Sequence, residues 1–353
     1  MPETVRQARS APDCRAPQVT GGTHLLSITS LLTMPYQFAI LAWAALTFAL
    51  LSDVTAGATT PMGPKERYVH IRTLQRTMQG KVDLGMDRTT GNIVALKGSQ
   101  RFAVDHMTTL NGLHVVENPL QERRVLETLN CPGHPNVIRL VDSFEDGRYY
   151  WMVLEFASQG DILDLINADG RGHLDEASAA KYFLQLLRAL EYIHGKRICH
   201  LDVSLENILL DEHRNIKLAD YGVALEFDPD RPFPECSPQT RPGKPGYASP
   251  EIMECKLPFI GPQADLYSAG IVLFVMLFGC YPYEKPDTLT DPGFRLVRNG
   301  QLAELVHALN KSPSKHAVEL LSGLLCPAES RLSLPQVLQH PWIAQIGVSQ
   351  GAP

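Results

Sequence analysis

Paired cysteines are missing from this 353-residue chain. Its seven, Cys14, Cys131, Cys199, Cys236, Cys255, Cys280 and Cys326, are scattered, odd in number and never spaced C-x-x-C. That argues against a disulfide scaffold and for free, mostly buried thiols in a reducing compartment. A surplus of positive charge is missing too: 32 Lys+Arg stand against 38 Asp+Glu, a formal charge of −6. Nothing in that balance points to a general binder of nucleic acid or of anionic membrane surfaces. No stretch repeats internally.

Charge is absent altogether from Ala16 to Ser52. Within that stretch Tyr36 to Leu51 is strongly apolar. With Leu25 to Met34 before it, the run is long enough to cross a bilayer, which takes about 20 residues. Pro35 is a tolerable kink in such a helix. Three readings stay open: a signal-anchor helix; a secretory signal peptide, with Val54-Thr-Ala56 as a poor small-residue cleavage site; or a mis-started N-terminus or apolar helix docked on the domain. Arg6, Arg9 and Arg15 flank one side and Lys65, Arg67 and Arg72 the other, so the positive-inside rule leaves orientation open.

What is present is apolar material, 44% of the chain. That suffices for a large core, and the length suggests about two or three domains or lobes. Thr55 to Pro64, rich in Gly, Thr and Pro, reads as a linker. Beyond it Tyr68 to Leu74, Gly80 to Met86 and Asn92 to Gly98 alternate as short strands, with a turn over Arg88 to Asn92. The spacing predicts a helix over Glu117 to Asn130, with Leu120, Val125, Leu126 and Leu129 on or near one face. Two strands follow, around Ile138 to Ser143 and Tyr149 to Phe156. From Asp161 onward helices dominate, among them Ala177 to His194 and the nearly continuous apolar run Ala264 to Phe278. Strands first and helices second fit two lobes of different class.

The chemistry-bearing stretch is Ile198-Cys-His-Leu-Asp-Val-Ser-Leu-Glu-Asn-Ile-Leu-Leu210, a polar island between apolar runs. Asp202 and Asn207 lie five apart on a loop, and Asp220-Tyr-Gly222 comes thirteen residues after Asn207, behind the apolar strand Asn215 to Ala219. Two carboxylates and an amide together suit a hydroxyl nucleophile and a divalent metal. One carboxylate serves as base, and the others as hard oxygen ligands for Mg²⁺. Alone, each motif is an ordinary polar turn; their order is not. Val94-Ala-Leu-Lys97 puts a lysine at a strand end, Glu122 lies on the next helix, and Gly246-Tyr-Ala-Ser-Pro-Glu251 follows the two carboxylates.

This order closely resembles the eukaryotic protein kinase superfamily of serine/threonine type, over about Tyr68 to Ile343. The resemblance implies an α+β bilobal fold: a small N-lobe antiparallel sheet plus one helix, and a larger, mainly helical C-lobe. The expected organisation is a disordered N-terminus (1–33), a hydrophobic segment (34–52) offering membrane attachment, a linker (53–67), the N-lobe (68–156), the C-lobe (157–345) and a tail (346–353). It implies ATP and Mg²⁺, a protein substrate, no nucleic-acid partner, and a cytoplasmic or membrane-associated location.

Residue by residue, Lys97 resembles the lysine on the α- and β-phosphates and Glu122 its helix partner. Asp202 resembles the base that accepts the substrate hydroxyl proton; Asn207 and Asp220 resemble the two protein ligands of Mg²⁺. Gly80 belongs to the phosphate-covering loop, and Val82, Ala95 and Leu209 sandwich adenine. Leu154 stands as gatekeeper, Glu155, Phe156 and Ala157 as hinge, and Asp161 at the ribose edge, its alternative being a helix cap. Glu251 is expected to pair with Arg331, Asp265 to brace the catalytic loop backbone, and His340-Pro-Trp342 to close a helix end. Leu126, Leu140, His200 and Tyr221 are candidates for an apolar stack.

Five positions depart from the family pattern. The glycine-rich loop keeps only Gly80, with Gln75 and Thr77 at the lost glycines, so weaker ATP binding is expected. Leu201 replaces an arginine that clamps a phosphorylated activation loop (a non-RD pattern), so activity is expected not to depend on phosphate at Ser237 or Thr240 through that contact. Ser204 replaces a lysine that contacts the γ-phosphate, which should slow transfer. Lys244 stands where many members have threonine. Glu206 and Asp161 are candidates for selecting basic residues in a peptide substrate. Against an active kinase stands a pseudokinase scaffold that binds nucleotide weakly and regulates partners. A kinase of small hydroxyl substrates is disfavoured by Gly246 to Glu251.

Overall fold

A computed structural model of the chain describes residues 63–344 apart from 169, 232, 234–239, 256–257, 285–289 and 310. The expected N-terminus (1–33), apolar segment (34–52), most of the linker and the tail lie outside the described residues, as does Ser237.

Residues alternating at a period of two build the first layer. After a short helix α1 (Pro64–Arg67) come β1 (Tyr68–Arg76), β2 (Gly80–Asp87) and β3 (Ile93–Gln100). The turn between β2 and β3 is closed by Asp87, whose carboxylate accepts from Thr89 N at 2.9 Å and Thr90 Oγ1 at 3.0 Å. Gly91 takes the positive φ of 73° that this turn requires. A short helix not anticipated from the sequence, α2 (Arg101–Asp105), precedes α3 (Pro119–Leu129). The predicted helix over 117–130 begins later, because the Asn118 side chain takes the Leu120 and Gln121 N–H groups as an N-cap. Glu117 is thereby left outside it. β4 (Leu140–Glu145) and β5 (Tyr149–Glu155) complete an antiparallel sheet of order β1-β2-β3-β5-β4.

Helices then take over: α4 (Ile162–Ala168) and α5 (Glu176–Gly195), the latter capped by Asp175 through Ser178 N at 2.9 Å. β6 (Ile198–Cys199), a single 3-10 turn (Leu205–Asn207), β7 (Ile208–Leu210), β8 (Ile216–Leu218) and β9 (Leu225–Glu226) form two small ribbons, β6-β9 and β7-β8. Then follow α6 (Pro250–Glu254), α7 (Gly261–Phe278), α8 (Pro292–Arg298), α9 (Leu302–Ala308), α10 (Lys315–Leu324) and α11 (Leu334–Leu338). This is the α+β arrangement that the resemblance implies, a small antiparallel sheet with its helix followed by a larger, mainly helical part.

One apolar core runs from Val125, Leu126 and Leu129 of α3 through Leu140 and Met152 into α5 and α7. Helix α7 has the length and apolarity of a membrane span, yet 89% of it is buried within the protein. A helix apolar on every side is one enclosed on every side. The large lobe is locked by Arg331, which meets Glu251 at 2.7 Å and the Cys326 and Gln263 carbonyls. Trp342 donates to Glu176 at 3.0 Å. The described cysteines carry free thiols, but the expectation that they are mostly buried fails. Only Cys199 is buried; Cys131 is exposed in the turn after α3, and Cys255, Cys280 and Cys326 are half-buried. Their positions in turns and at helix ends, not in element interiors, account for this.

Candidate active site

The register of β3 decides where Lys97 points. Val94 and Leu96 face the sheet's buried side, so Ala95 and Lys97 face the other. All three Lys97 ammonium hydrogens are engaged: Nζ lies 2.9 and 2.8 Å from the two Glu122 oxygens and 3.0 Å from Asp220 Oδ1. Burial opposes the ammonium charge, but Asp220 and Glu122 outweigh it and raise the lysine's pKa. Burial pushes the Glu122 carboxyl up to about 7 against the pull of Lys97. Burial would also raise Asp220, yet the neighbouring lysine more than offsets it and holds that carboxyl low. This one cation joins β3, α3 and the segment after β8.

The loop around Asp202 is held from below. Asp265, fully buried on α7, accepts from His200 N at 2.8 Å, Leu201 N at 2.7 Å and His194 Nε2 at 2.8 Å. That fixes Leu201 at a φ of 62°, a left-handed conformation that needs such bracing in a non-glycine residue. The His200 ring packs against Tyr221, with centroids 4.7 Å apart and planes tilted by 54°. Its Nδ1 accepts the Asp202 N–H, so the Nε2 hydrogen donates to the Ala219 carbonyl at 3.0 Å. Burial lowers its pKa, consistent with this neutral ring. Asn207 Nδ2 donates to the Asp202 carbonyl and to Asp202 Oδ2, both at 2.8 Å. Burial raises the Asp202 carboxyl above the usual carboxylate range, with Lys244 pulling the other way.

A cavity of about 220 Å³ lies beneath the β1–β2 turn, lined by Gln75, Thr77, Lys97, Glu117, Glu122 and Asp220, among others. Val82, Ala95, Leu154, Glu155, Ala157, Asp161 and Leu209 are not in its lining. They are half-buried along a neighbouring wall, with Val82 opposite Lys97 and Ala95 opposite Leu154 in register. Asp161 forms a strand bridge with Leu209, and its carboxylate takes the Asp164 N–H at 2.8 Å. The Glu155 side chain is turned to Lys217 and the Arg139 N–H, and its own N–H donates to the Arg139 carbonyl at 3.0 Å.

The site holds residues that local sequence pattern did not reveal. Glu117 sits in the cavity, its carboxyl raised by burial, only because the Asn118 cap halts α3 short of it. Gln79 is buried and donates to the Ala103 and Thr108 carbonyls at 3.3 and 3.2 Å. Leu110 N donates to Met78 O at 2.9 Å, and Gln100 N to Gln79 O at 2.8 Å. The turn lacking two glycines is therefore stitched to the segment around α2. Gly80 is retained for a reason other than positive φ: a Cβ there would lie 1.9 Å from the Gly98 carbonyl oxygen on β3.

The donor set fits Mg²⁺. Asn207 spends its amide nitrogen on Asp202 and keeps its carbonyl oxygen, and Asp220 gives one oxygen to Lys97 and keeps the other. Among the described residues there is no cluster of three or more His, Cys, Asp or Glu side chains. Two hard protein oxygens are what Mg²⁺ takes when water and phosphate oxygens supply the rest.

The family described as protein kinase domain matches residues 68–343, and the chain belongs to that family. Among curated proteins it is 32% identical over 287 residues to the probable serine/threonine-protein kinase MARK-A of Dictyostelium discoideum, covering 81% of this chain and 25% of that one. It is 34% identical over 279 residues to the NUAK family SNF1-like kinase 2 of Rattus norvegicus, covering 79% and 40%. The figure for serine/threonine-protein kinase SIK1 of Rattus norvegicus is 33% over 274 residues, covering 77% and 32%. The chain thus spans a quarter to two fifths of the length of these relatives.

Proposed function

We propose that this chain is a protein kinase that transfers the γ-phosphoryl group of ATP to Ser or Thr hydroxyls of protein substrates. The observation that carries the reading is the bridge from Lys97 to both Glu122 and Asp220, with Asp202 and Asn207 bonded to each other beside it. The bridge fixes a cation and the Asp220 carboxylate side by side at the cavity wall, the pairing that phosphate and its metal call for. In this reading Lys97 steadies the α- and β-phosphates. Asp202 aligns the substrate hydroxyl and takes its proton, and burial, by raising its carboxyl, makes the carboxylate a stronger base. Mg²⁺, held by Asn207 and Asp220, would neutralise phosphate charge. Val82, Ala95, Leu154 and Leu209 enclose the base, and the Glu155 and Ala157 backbone reads its edge. Positioning and charge supply most of the rate.

The second reading, a scaffold that binds nucleotide weakly, is favoured by the β1–β2 turn, which has side chains at 75 and 77 and is tied down through Gln79. One experiment separates the two: Mg·ATP with basic and acidic peptides, wild type beside Asp202→Ala. Transfer above that control supports the kinase. None above it, with ATP-induced thermal stabilisation retained, supports the scaffold. The proposed location is the cytoplasm or, through residues 34–52, a membrane. Fractionation of the full chain against a version starting at Thr59 tests the membrane attachment.

A further inference from the structure

Two substitutions noted separately in the sequence, Ser204 and Lys244, meet in the fold. The Lys244 Nζ lies 2.8 Å from Ser204 Oγ and 3.3 Å from Asp202 Oδ2, and the Lys244 backbone N–H lies 3.1 Å from Asp202 Oδ1. We infer that Lys244, contributed by the segment ahead of α6, supplies the cation that stabilises the transferring phosphoryl group, with Ser204 as its positioning residue. The inference rests on the kinase reading above.

The geometry for this is built in. Gly243, at a φ of 84°, passes so close to the catalytic loop that a Cβ would lie 2.6 Å from the Leu201 carbonyl oxygen. The next residue is thereby delivered beside Asp202. The Lys244 carbonyl takes the Tyr247 and Ala248 N–H groups at 2.9 Å each, which fixes its backbone. Ser204 is fully buried, and its hydroxyl oxygen accepts from the ammonium. The lysine side chain is 39% exposed, so its charge is held at the mouth and not sealed away. Lys97 is given to the α- and β-phosphates in that reading, and its bonds go to Glu122 and Asp220, not to Asp202. Among the described residues Lys244 is the one ammonium paired with Asp202.

The distances fit the reaction. A hydroxyl bonded to Asp202 sits about 2.6–3.2 Å from its carboxylate, and the phosphorus it attacks is about 3–3.5 Å further on. In the transfer the hydroxyl oxygen bonds to the γ-phosphorus, and the bond from that phosphorus to the β,γ-bridging oxygen breaks. The electron pair leaves with ADP, and the proton passes to Asp202. Lys244 neither gains nor loses a proton; its fixed charge meets the negative charge spread over the phosphoryl oxygens. Because the cation rides on the segment 243–248, transfer requires that segment to be docked on the catalytic loop.

The test uses the full chain with Mg·ATP and a peptide it phosphorylates. Lys244→Met is expected to lower kcat by about 100- to 1,000-fold, as loss of one preorganised electrostatic contact does, with KM for ATP and melting temperature unchanged. Exchanging the two residues, Ser204→Lys with Lys244→Ser, is expected to restore most of the rate. Ser204→Ala should lower kcat, and Ser204→Thr should retain it. A readout independent of turnover is the affinity for Mg·ADP with fluoroaluminate, a mimic of the planar phosphoryl group. Its gain over Mg·ADP alone should vanish in Lys244→Met. Wild-type kcat in Lys244→Met, an undiminished fluoroaluminate gain, or a rate loss matched by a lower melting temperature and not restored by the exchange would each overturn the inference. No transfer by the wild type above Asp202→Ala would sink the kinase reading itself.

Discussion

At the scale of single residues, the ion pair of Arg67 and Asp87 shows how charge is used outside the cleft. The guanidinium meets the carboxylate through two bonds, Nη2 to Oδ2 at 2.8 Å and Nε to Oδ1 at 2.9 Å. With Thr89 and Thr90 added, Asp87 is held at about 2, below its ordinary 3.8, the bonded Arg67 being the main cause. A depressed carboxyl contributes stability that is whole above its unfolded pKa and is lost as pH falls through the folded one. The shift corresponds to roughly 2 kcal/mol. Asp87→Asn should therefore be less stable than wild type by about that amount at pH 7, and the gap should narrow from pH 4 towards pH 2. Urea titrations at pH 7, 4 and 3 check this; a gap unchanged at pH 3 contradicts it. Asp202, Asn207 and Asp220 were legible in the sequence because their chemistry is written in a short span with fixed spacing. The Lys244 contact was not, because its partners lie 40 and 42 residues away. Nor was the reason for Gly80, since the atom that forbids a side chain there belongs to Gly98 on another strand.

At the scale of elements, periodicity carried the strands and α5, and an unbroken apolar run carried α7, which is enclosed on every side. Neither carried α2 or the start of α3, which five residues of helix and a single cap decide. The segment after Asp220 shows what replaces a missing charge. Leu201 is buried with Ala248, Ile252, Phe259 and Ala264, against Val223, Leu225, Phe227 and Phe233. Phe233 and Phe259 exchange backbone bonds at 2.8 and 3.1 Å, with rings 5.2 Å apart. Where an arginine would need a phosphate to hold this segment, apolar packing holds it outright. Phosphatase treatment is accordingly expected to leave the transfer rate intact. Activity that disappears on treatment and returns with phosphate on Thr240 would refute this. Leu201→Arg, which puts an unpaired cation into that cluster, should destabilise the chain by more than about 2 kcal/mol, read by denaturant titration.

At the scale of the whole molecule, the two lobes share one core but meet at the cleft through charge. Lys97 comes from the sheet and Asp220 from the large lobe, and their 3.0 Å ion pair spans the two beside the cavity, together with the bond from the Asn118 N–H to the Gly222 carbonyl at 2.8 Å. A nucleotide bound there joins both lobes and binds the folded state alone, so it must stabilise the fold by mass action. At a free Mg·ATP concentration of about 100 times Kd, the gain is about 2.7 kcal/mol, a rise in melting temperature of roughly 5 °C for a chain of this size. Lys97→Met removes the cation between Glu122 and Asp220 and leaves two carboxylates facing incoming phosphates. Its melting temperature should rise little with Mg·ATP even at concentrations that saturate the wild type. Lys244→Met, whose charge serves the transfer step, should keep the full rise. Thermal melts of the three proteins with and without Mg·ATP thus separate the lysine that holds the nucleotide from the lysine that serves its reaction. An equal rise in Lys97→Met would mean that phosphate binding does not run through the bridge on which the functional reading stands.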